Sequence, residues 1–194
     1  NDLIKKGNRP HWRFKLDEGI IEWKDLIKGK VTFESKHLSD PILIREDGSL
    51  LYHLPSVIDD VEENITDIIR GEDHISNTAL HIQLFRSLNA PIPRFGHHPF
   101  LTDEHGKGFA KRLNSLTLQQ LFEDGFENIT IFNYLFSIGT SKDLSKEKDI
   151  NKLVLNFDIN NLASSPPKFS INVLKILNKD ILQTYDYSDV SHRF

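Results

Sequence analysis

Apolar and polar residues alternate over short stretches in the first part of the chain, which indicates β-structure interrupted by turns. His11 to Leu16 alternates aromatic and basic residues as a strand does. Ile42 to Leu54 contains an apolar run, the Asp47–Gly48 turn and a second apolar run. That arrangement predicts a β-hairpin. The acidic stretch Asp59 to Glu63 then reads as a turn rather than as a pair of catalytic carboxylates.

A strand, helix, strand, helix order follows between residues 65 and 125. Ile65 to Arg70 and Arg94 to Leu101 are predicted strands, and the helix between them begins with Ser76 or Asn77 as its cap. The apolar side of this helix consists of Leu80, Leu84, Phe85 and Leu88. A further helix is predicted over 117–124, with Gly125 just past its end. The order predicts an α/β layer with parallel strands, and ligands bind beyond the carboxyl ends of such strands.

The remainder of the chain is predicted to be helical. Asn128 to Ile138 forms one helix, stopped by Gly139, with Phe132, Leu135 and Phe136 expected to face inward. The character changes near residue 141, where a densely charged segment begins. Two short helices are predicted beyond it, over 149–157 and 171–181. The aromatic residues, Trp12 and Trp23 among them, are assigned to the core.

The amino-acid composition excludes several classes of protein. Hydrophobic residues make up 38% and charged residues 27%, as in soluble globular proteins, and no apolar run approaches the roughly 18 residues that span a bilayer. We therefore expect no membrane partner and a cytoplasmic or organelle-interior location. The chain contains no Cys, which excludes disulfides and thiolate zinc sites, so no zinc is expected. It begins at Asn1 and contains no Met, so we expect a fragment of a longer protein.

Two loops at the predicted strand ends carry candidate chemistry. In the first, Arg70 to His74, Arg70 can hold a carboxylate through two parallel hydrogen bonds, although a charged turn before a helix has the same composition. In the second, Gly106 to Arg112, glycines and the basic residues Lys111 and Arg112 suit a phosphate, although a solvated basic loop reads the same way. Neighbouring His97 and His98 lie in a predicted strand, point to opposite faces and cannot readily share a metal ion.

Taken together, these segments resemble the glutamyl-tRNA synthetases, which are class I aminoacyl-tRNA synthetases. The resemblance rests on the order and spacing of five segments rather than on any one motif. These are HWRFKL from His11, GKVTF from Gly29, DPILIREDGSLLYHLPSVIDD from Asp40, ITDIIRGEDHISNT from Ile65 and GKGFAKR from Gly106. The resemblance implies the second half of a Rossmann-type catalytic domain with a parallel sheet, a β-containing remnant of an insert and a helical C-terminal region.

The same resemblance implies a reaction and a set of site residues. ATP, with Mg²⁺, would activate glutamate to glutamyl-adenylate, which is transferred to the 3′ end of tRNA; the parent protein is expected to be monomeric. Lys111 and Arg112 match the last two residues of the family's KMSKS loop and are the implied catalytic residues. The implied ATP-binding residues are Lys111, Gly108, Phe109, Leu101, Asp73 and His74. The implied glutamate-binding residues are Arg70, Tyr52 and Ser56.

The resemblance also implies a domain arrangement. Residues 1–50 correspond to the end of the acceptor-binding insert, 51–140 to the second half of the catalytic domain, and 141–194 to the stem-contact region and the start of the anticodon-binding part. The family's H-I-G-H motif does not occur in these residues, so we expect the segment alone to be inactive.

Two alternatives stay open. One is a non-catalytic tRNA-binding or interaction module derived from a synthetase, which is favoured by Gly108 and Ala110 in the places of the motif's Lys and Ser. The other is a nucleotide-binding protein of a different family.

Overall fold

Short strands come first in the chain and helices dominate its second half. The structure is a computed structural model that describes residues 7, 9–108, 117–140 and 142–191. It divides into two units, Asn1–His98 and Pro99–Phe194. The domain boundaries expected near residues 50 and 140 concern the architecture of a longer protein and stay predictions.

The first unit opens with two antiparallel pairs of strands. Strand β1 (Trp12–Arg13) pairs with β4 (Ile42–Ile44), and the hairpin of β2 (Ile20–Asp25) and β3 (Gly29–Glu34) lies between them in sequence. The segment Ser35–His37 after β3 is a short 3-10 helix. Of the apolar and acidic side chains on β2, Ile21 and Asp25 are both buried, which places a carboxylate in the interior.

A parallel pair of strands with a helix between them forms the α/β part of this unit. Strand β5 (Asp67–Gly71) leads through the 3-10 helix Glu72–His74 into α2 (Ile75–Ser87), and the chain returns as β6 (Arg94–His98). The strands are parallel, with Asp67 beside Arg94 and Gly71 beside His98. This confirms the predicted α/β fold class with a parallel sheet.

The core of the first unit lies between α2, β6 and the antiparallel hairpin. Its buried apolar residues are Ile21, Val57, Ala79, Leu80, Ile82, Leu84, Phe85 and Phe95. Trp23 and Phe33 of the hairpin pack against this core. The prediction that Trp12 belongs to a core is wrong, because 65% of its surface is exposed on the two-residue strand β1.

The predicted hairpin is present but short, and the acidic turn predicted after it is wrong. Backbone hydrogen bonds join Arg45 to Ser49 and Leu43 to Leu51 around the bridge between Ile44 and Leu50, and helix α1 (His53–Glu62) follows. Pro55 lies in the first turn of α1, where its missing N–H leaves no hydrogen bond unmade. The acidic residues that resemble a turn therefore lie at the end of a helix, where Asp59, Glu62 and Glu63 are exposed and Asp60 is partly buried.

The predicted cap of α2 is also different. His74 holds the cap position and makes no side-chain capping bond, so neither Ser76 nor Asn77 caps this helix. The 3-10 turn Glu72–His74 runs directly into α2.

The second unit consists mainly of helices. They are α3 (Leu118–Glu123), α4 (Asn128–Thr140), α5 (Ile150–Leu155), the 3-10 helix Ile159–Asn161, α6 (Ile171–Leu182) and α7 (Tyr187–Val190). Its buried apolar residues are Leu121, Phe126, Ile131, Tyr134, Phe169, Leu174, Leu177 and Ile181. Thr117 caps α3 by accepting a hydrogen bond from the Gln120 amide, and Gly125 follows the helix with φ of 84°.

Helix α4 turns a different face inward from the one predicted. Phe132 and Leu135 are 49% and 38% exposed, whereas Ile131 and Tyr134 are buried. Polar residues share the buried face because the charged segment that follows satisfies them. Asn133 donates to the carbonyl of Glu147 at 2.8 Å and accepts from its amide at 3.0 Å. The spacing of apolar residues alone does not identify the buried face of α4, because some of the residues on that face are polar and hydrogen-bonded.

Within the part of the chain that the structure describes, no helix is both long enough and apolar enough to cross a bilayer.

Candidate functional site

Arg70 stands at the carboxyl end of β5 with its guanidinium partly buried. Nη2 donates to the Thr78 hydroxyl at 2.6 Å, and Cζ lies 5.7 Å from the centroid of the Phe95 ring. Nη1 is 3.5 Å from the Tyr52 hydroxyl, longer than an ordinary hydrogen bond. Nε is buried without a hydrogen-bond partner among the described residues. The guanidinium is thus held firmly at Nη2 and retains donor capacity for an anion.

The electrostatics around Arg70 suit an anionic ligand. Burial lowers the pKa of Arg70, and the Tyr52 hydroxyl and the carboxylates of Asp60 and Asp73 oppose that shift. Arginine stays charged even so. Burial also raises the pKa of Asp60, which the guanidinium opposes. Partial desolvation strengthens the attraction of the guanidinium for a carboxylate, whereas the negative charges of Asp60 and Asp73 weaken it.

Of the other residues implied for glutamate, Tyr52 lies near Arg70, and Ser56 follows one turn further along α1. Tyr52 occupies the cap position of α1 and is 49% exposed. Ser56, one turn further along α1, donates its amide to the Tyr52 carbonyl at 3.1 Å. Residues four apart on a helix share a face, so Tyr52 and Ser56 are neighbours on α1.

The implied ATP residues of this unit, Asp73 and His74, lie in the 3-10 turn after β5. The His74 ring is 6.2 Å from that of Tyr52, and its Nε2 is 3.8 Å from the Asp73 carboxylate. The structure therefore brings Arg70, Tyr52 and His74 together at one strand end. The roles given to these residues stay predictions.

A buried line of polar side chains runs behind Arg70. Thr78 Oγ1, which accepts from Arg70, is 2.8 Å from His97 Nε2, and His97 Nδ1 is 2.5 Å from Asp25 Oδ2. Thr78, His97 and Asp25 are all essentially inaccessible to solvent. Burial opposes ionisation of Asp25, but hydrogen bonds from the His97 ring and from the amides of Lys28, Ile27 and His97 outweigh it, and the pKa of Asp25 lies far below its usual range.

Two histidines form a second buried polar pair close to Tyr52. His53 Nδ1 and His81 Nε2 are 3.1 Å apart, and their rings meet edge to face. Burial, together with the charges of Arg70, His53 and His74, lowers the pKa of His81 to about 3. Burial and the charges of Arg70 and His74 also lower the pKa of His53. Both rings are therefore neutral near pH 7, and Arg70 provides the positive charge at this place.

Leu101 and Gly108, also implied for ATP, belong to the second unit. Gly108 is exposed and forms a β-bridge with Thr102, the residue after the partly buried Leu101. Between them Asp103 accepts hydrogen bonds from the amides of His105 and Lys107, which makes a tight turn. Phe109, Lys111 and Arg112 lie outside the described residues.

Sequence reasoning missed the contributions of Asp25, Thr78 and His81. A polar residue inside an otherwise apolar run was the one available signal, as for Thr78 and His81 on α2. His97 and His98 do point to opposite sides of β6, one buried and one exposed. In the described part of the chain, no group of three or more His, Cys, Asp or Glu side chains is arranged to hold a metal ion.

The chain is similar in sequence to curated glutamate–tRNA ligases. The curated relatives include glutamate–tRNA ligase 2 of Beijerinckia indica subsp. indica, 44% identical over 98% of this chain and 43% of its own length. The glutamate–tRNA ligase of Azospirillum brasilense is 44% identical over 97% of this chain and 43% of its own length. The chain thus spans less than half the length of these relatives.

Solved structures give the same result for the fold. The glutamate–tRNA synthetase of Elizabethkingia anophelis superimposes with a TM-score of 0.84 and 25% identity, over 99% of this chain and 43% of its own. A glutamate–tRNA ligase from Elizabethkingia meningosepticum, solved in complex with its amino acid, also gives 0.84 with 25% identity, over 97% of this chain and 42% of its own. The family model for the catalytic domain of class I tRNA synthetases (E and Q) matches residues 1–176. The chain therefore belongs to the family of class I tRNA synthetases (E and Q), as part of its catalytic domain.

Proposed function

We propose that this chain is the second half of the catalytic domain of a glutamate–tRNA ligase. Within a longer protein, it takes part in the ATP-dependent activation of glutamate to glutamyl-adenylate and the transfer of glutamate to the 3′ end of tRNA. The observation that carries the proposal is Arg70, a half-buried cation with unused donor capacity at the carboxyl end of a parallel strand, in a chain of this family. The parent is a monomeric cytoplasmic protein in this proposal.

Arg70 supplies the recognition of glutamate. The substrate carries two carboxylates, and the α-carboxylate must react with the α-phosphate of ATP. The side-chain carboxylate is then the one available to the guanidinium, with Tyr52 and Ser56 on the adjacent face of α1 as further polar contacts. A guanidinium binds a planar carboxylate through paired hydrogen bonds, which favours glutamate over its neutral amide. A glutamate–tRNA ligase of similar fold was solved in complex with its amino acid, which supports an amino-acid ligand for the parent protein.

ATP, as its Mg²⁺ complex, is the second substrate. In the proposal, Asp73 and His74 lie near the ribose or adenine of ATP, and Leu101 and Phe109 lie near the adenine. Gly108 belongs to the ATP-binding loop. Lys111 and Arg112 act on the phosphates, where charge builds up as pyrophosphate leaves. Fixed positive charge at that point stabilises the transition state more than the ground state. The Mg²⁺ is expected from the chemistry of ATP, whose phosphates bind it.

The domain arrangement belongs to the same proposal. Residues 1–50 close the acceptor-binding insert, 51–140 complete the catalytic domain, and 141–194 begin the parts that contact the tRNA stem and anticodon arm. The superposition of a related synthetase over 99% of this chain supports this arrangement.

The test is ATP–pyrophosphate exchange with glutamate and tRNA, using the full-length protein and its Lys111→Ala variant. We expect robust exchange in the unmodified protein and a loss of ~10²-fold or more in the variant, the usual effect of removing one group that stabilises transition-state charge. Lys175→Ala is the matched control, because Lys175 is an exposed lysine on α6. An equal loss in both variants would assign the effect to general charge rather than to Lys111.

A non-catalytic tRNA-binding module is the second candidate. Gly108 and Ala110, in the places of the motif's Lys and Ser, favour it. The two candidates separate in one experiment. If the full-length protein binds tRNA but shows no exchange with glutamate, the ligase proposal fails and the binding module replaces it.

A further inference from the structure

We infer that Asp25, His97 and Thr78 form a buried relay that positions the Arg70 guanidinium for the substrate carboxylate. These three would be positioning residues, since none of them meets the substrate. The inference rests on the proposed function, because it assigns a purpose to the orientation of Arg70. It adds a segment that the site itself does not include, the hairpin of β2 and β3 that carries Asp25.

The contacts of the relay form one continuous line. Arg70 Nη2 lies 2.6 Å from Thr78 Oγ1, Thr78 Oγ1 lies 2.8 Å from His97 Nε2, and His97 Nδ1 lies 2.5 Å from Asp25 Oδ2. Each link is at or inside the distance of an ordinary hydrogen bond. The four residues come from four elements, β2, β5, α2 and β6. The line therefore connects the hairpin to the strand end through the interior.

The assignment of donors and acceptors shows that the hydrogen bonds of the relay all run in one direction. Arg70 has only N–H donors, so the Thr78 oxygen accepts that bond. Asp25 is a carboxylate that accepts, so the proton between it and His97 belongs to Nδ1. In the neutral tautomer Nε2 then accepts the Thr78 proton, although the His74 carbonyl at 3.2 Å is a competing acceptor. Every donor points from Arg70 towards Asp25, and hydrogen bonds aligned in this way polarise and strengthen one another.

Asp25 is anchored so that it can end the line. Its Oδ1 accepts hydrogen bonds of 3.0 Å from the amides of Ile27, Lys28 and His97, and the Trp23 indole N–H lies 3.3 Å from Oδ2. The carboxylate cannot rotate without breaking these bonds. The His97 ring therefore has a fixed orientation, and the Thr78 hydroxyl has a fixed acceptor.

The relay has a functional consequence that simple packing would not have. A core polar cluster contributes to stability but is indifferent to which substrate is measured. A relay that orients Arg70 affects the binding of glutamate and leaves the binding of ATP alone. The discriminating readout is therefore the KM for glutamate compared with the KM for ATP.

The experiment uses the full-length protein and two variants of one residue. Thr78→Val keeps the shape of the side chain and removes the hydroxyl, whereas Thr78→Ser keeps the hydroxyl. In ATP–pyrophosphate exchange, we expect Thr78→Val to raise the KM for glutamate ~10-fold, the usual effect of losing a hydrogen bond to a charged group. Thr78→Ser should stay within about 2-fold of the unmodified protein, and the KM for ATP should be unchanged in both.

Asp25→Asn tests the far end of the relay. The amide keeps the size of the carboxylate and removes its charge, so the KM for glutamate should rise as in Thr78→Val. Thermal unfolding of each variant shows whether it folds. If Asp25→Asn does not fold, the comparison of Thr78→Val with Thr78→Ser still decides the question.

Two results overturn the inference. One is an active protein in which Thr78→Val leaves the KM for glutamate unchanged, or raises the KM for glutamate and for ATP equally. The other result comes from crystal structures of the two Thr78 variants. These structures replace the kinetics if the unmodified protein shows no exchange, in which case the proposed function fails. A guanidinium displaced in Thr78→Val and retained in Thr78→Ser supports the relay, and an unchanged guanidinium in both refutes it.

Discussion

Acidification should destabilise the first unit through His81, a fully buried histidine whose pKa is lowered to about 3 from an ordinary value of 6.5. The folded protein binds this proton less readily than the unfolded chain does. As the pH falls, the unfolded state is protonated first and gains stability relative to the folded state. The contribution of His81 is therefore complete above pH 6.5 and is lost progressively as the pH falls towards 3.

The magnitude follows from the two pKa values. Between about pH 7 and about pH 4.5, linkage gives a loss of about 2.5 kcal/mol in the free energy of unfolding, since each unit of pKa difference is worth about 1.4 kcal/mol. That is a large part of the stability of a typical domain. The loss comes mainly from the burial of the ring, and the nearby charges of Arg70, His53 and His74 add to it.

Urea unfolding followed by tryptophan fluorescence measures this loss. Both tryptophans, Trp12 and Trp23, lie in the same unit as His81, so the signal reports that unit. His81→Gln removes the titrating ring and keeps a polar atom near the position of Nε2. The variant should lose about 2.5 kcal/mol less than the unmodified protein over the same pH range.

His37→Gln is the matched control, because His37 is exposed in the 3-10 helix after β3. It should follow the unmodified protein at both pH values. The reasoning is refuted if His81→Gln shows the same dependence on pH as the unmodified protein, since titration of other groups would then account for the whole loss.

Two further predictions concern the second unit, which circular dichroism can follow. Leu174→Ala removes a fully buried side chain from its core and should cost ~2–5 kcal/mol, whereas Ile176→Ala, at a position 62% exposed, should cost under about 1 kcal/mol. Equal losses would show that α6 is packed differently. Gly125→Ala should cost about 1 kcal/mol because its φ is 84°, whereas Gly139→Ala in α4 should stabilise by ~0.5–1 kcal/mol, since the added methyl meets only Leu162 at 3.5 Å. Urea unfolding should show a lower free energy of unfolding for Gly125→Ala and a higher one for Gly139→Ala.

Local sequence patterns predicted the parallel strands and most helices because each of these elements can be recognised from a few neighbouring residues. The segment 65–98 carries a strand, a helix and a strand with turn residues between them, and the structure agrees. Helix α1 was missed because Tyr52 to Leu54 continues an apolar run and Pro55 follows it, which resembles the end of a strand. Proline in a first helical turn leaves the same local pattern.

The sequence predicted the site only where a single side chain is enough to indicate the ligand. Arg70 at a strand end suggests an anion by itself, and the structure places it with Thr78 and Tyr52. The role of Asp25 could not be predicted, because its partner His97 is 72 residues away. The lowered pKa of His81 depends on burial, and burial is a property of the packed core rather than of the local sequence.

The separation between Asp25 and His97 has a consequence for the order in which the first unit assembles. Parallel pairing of β5 and β6 joins residues 27 apart, whereas the carboxylate–imidazole contact joins residues 72 apart. Closing the larger loop costs about 0.9 kcal/mol more chain entropy, or roughly a 4-fold lower probability of encounter. We therefore expect the β-hairpin, whose own contacts are local, to form early and to dock late. The orientation of Arg70 would then be completed only when the hairpin docks.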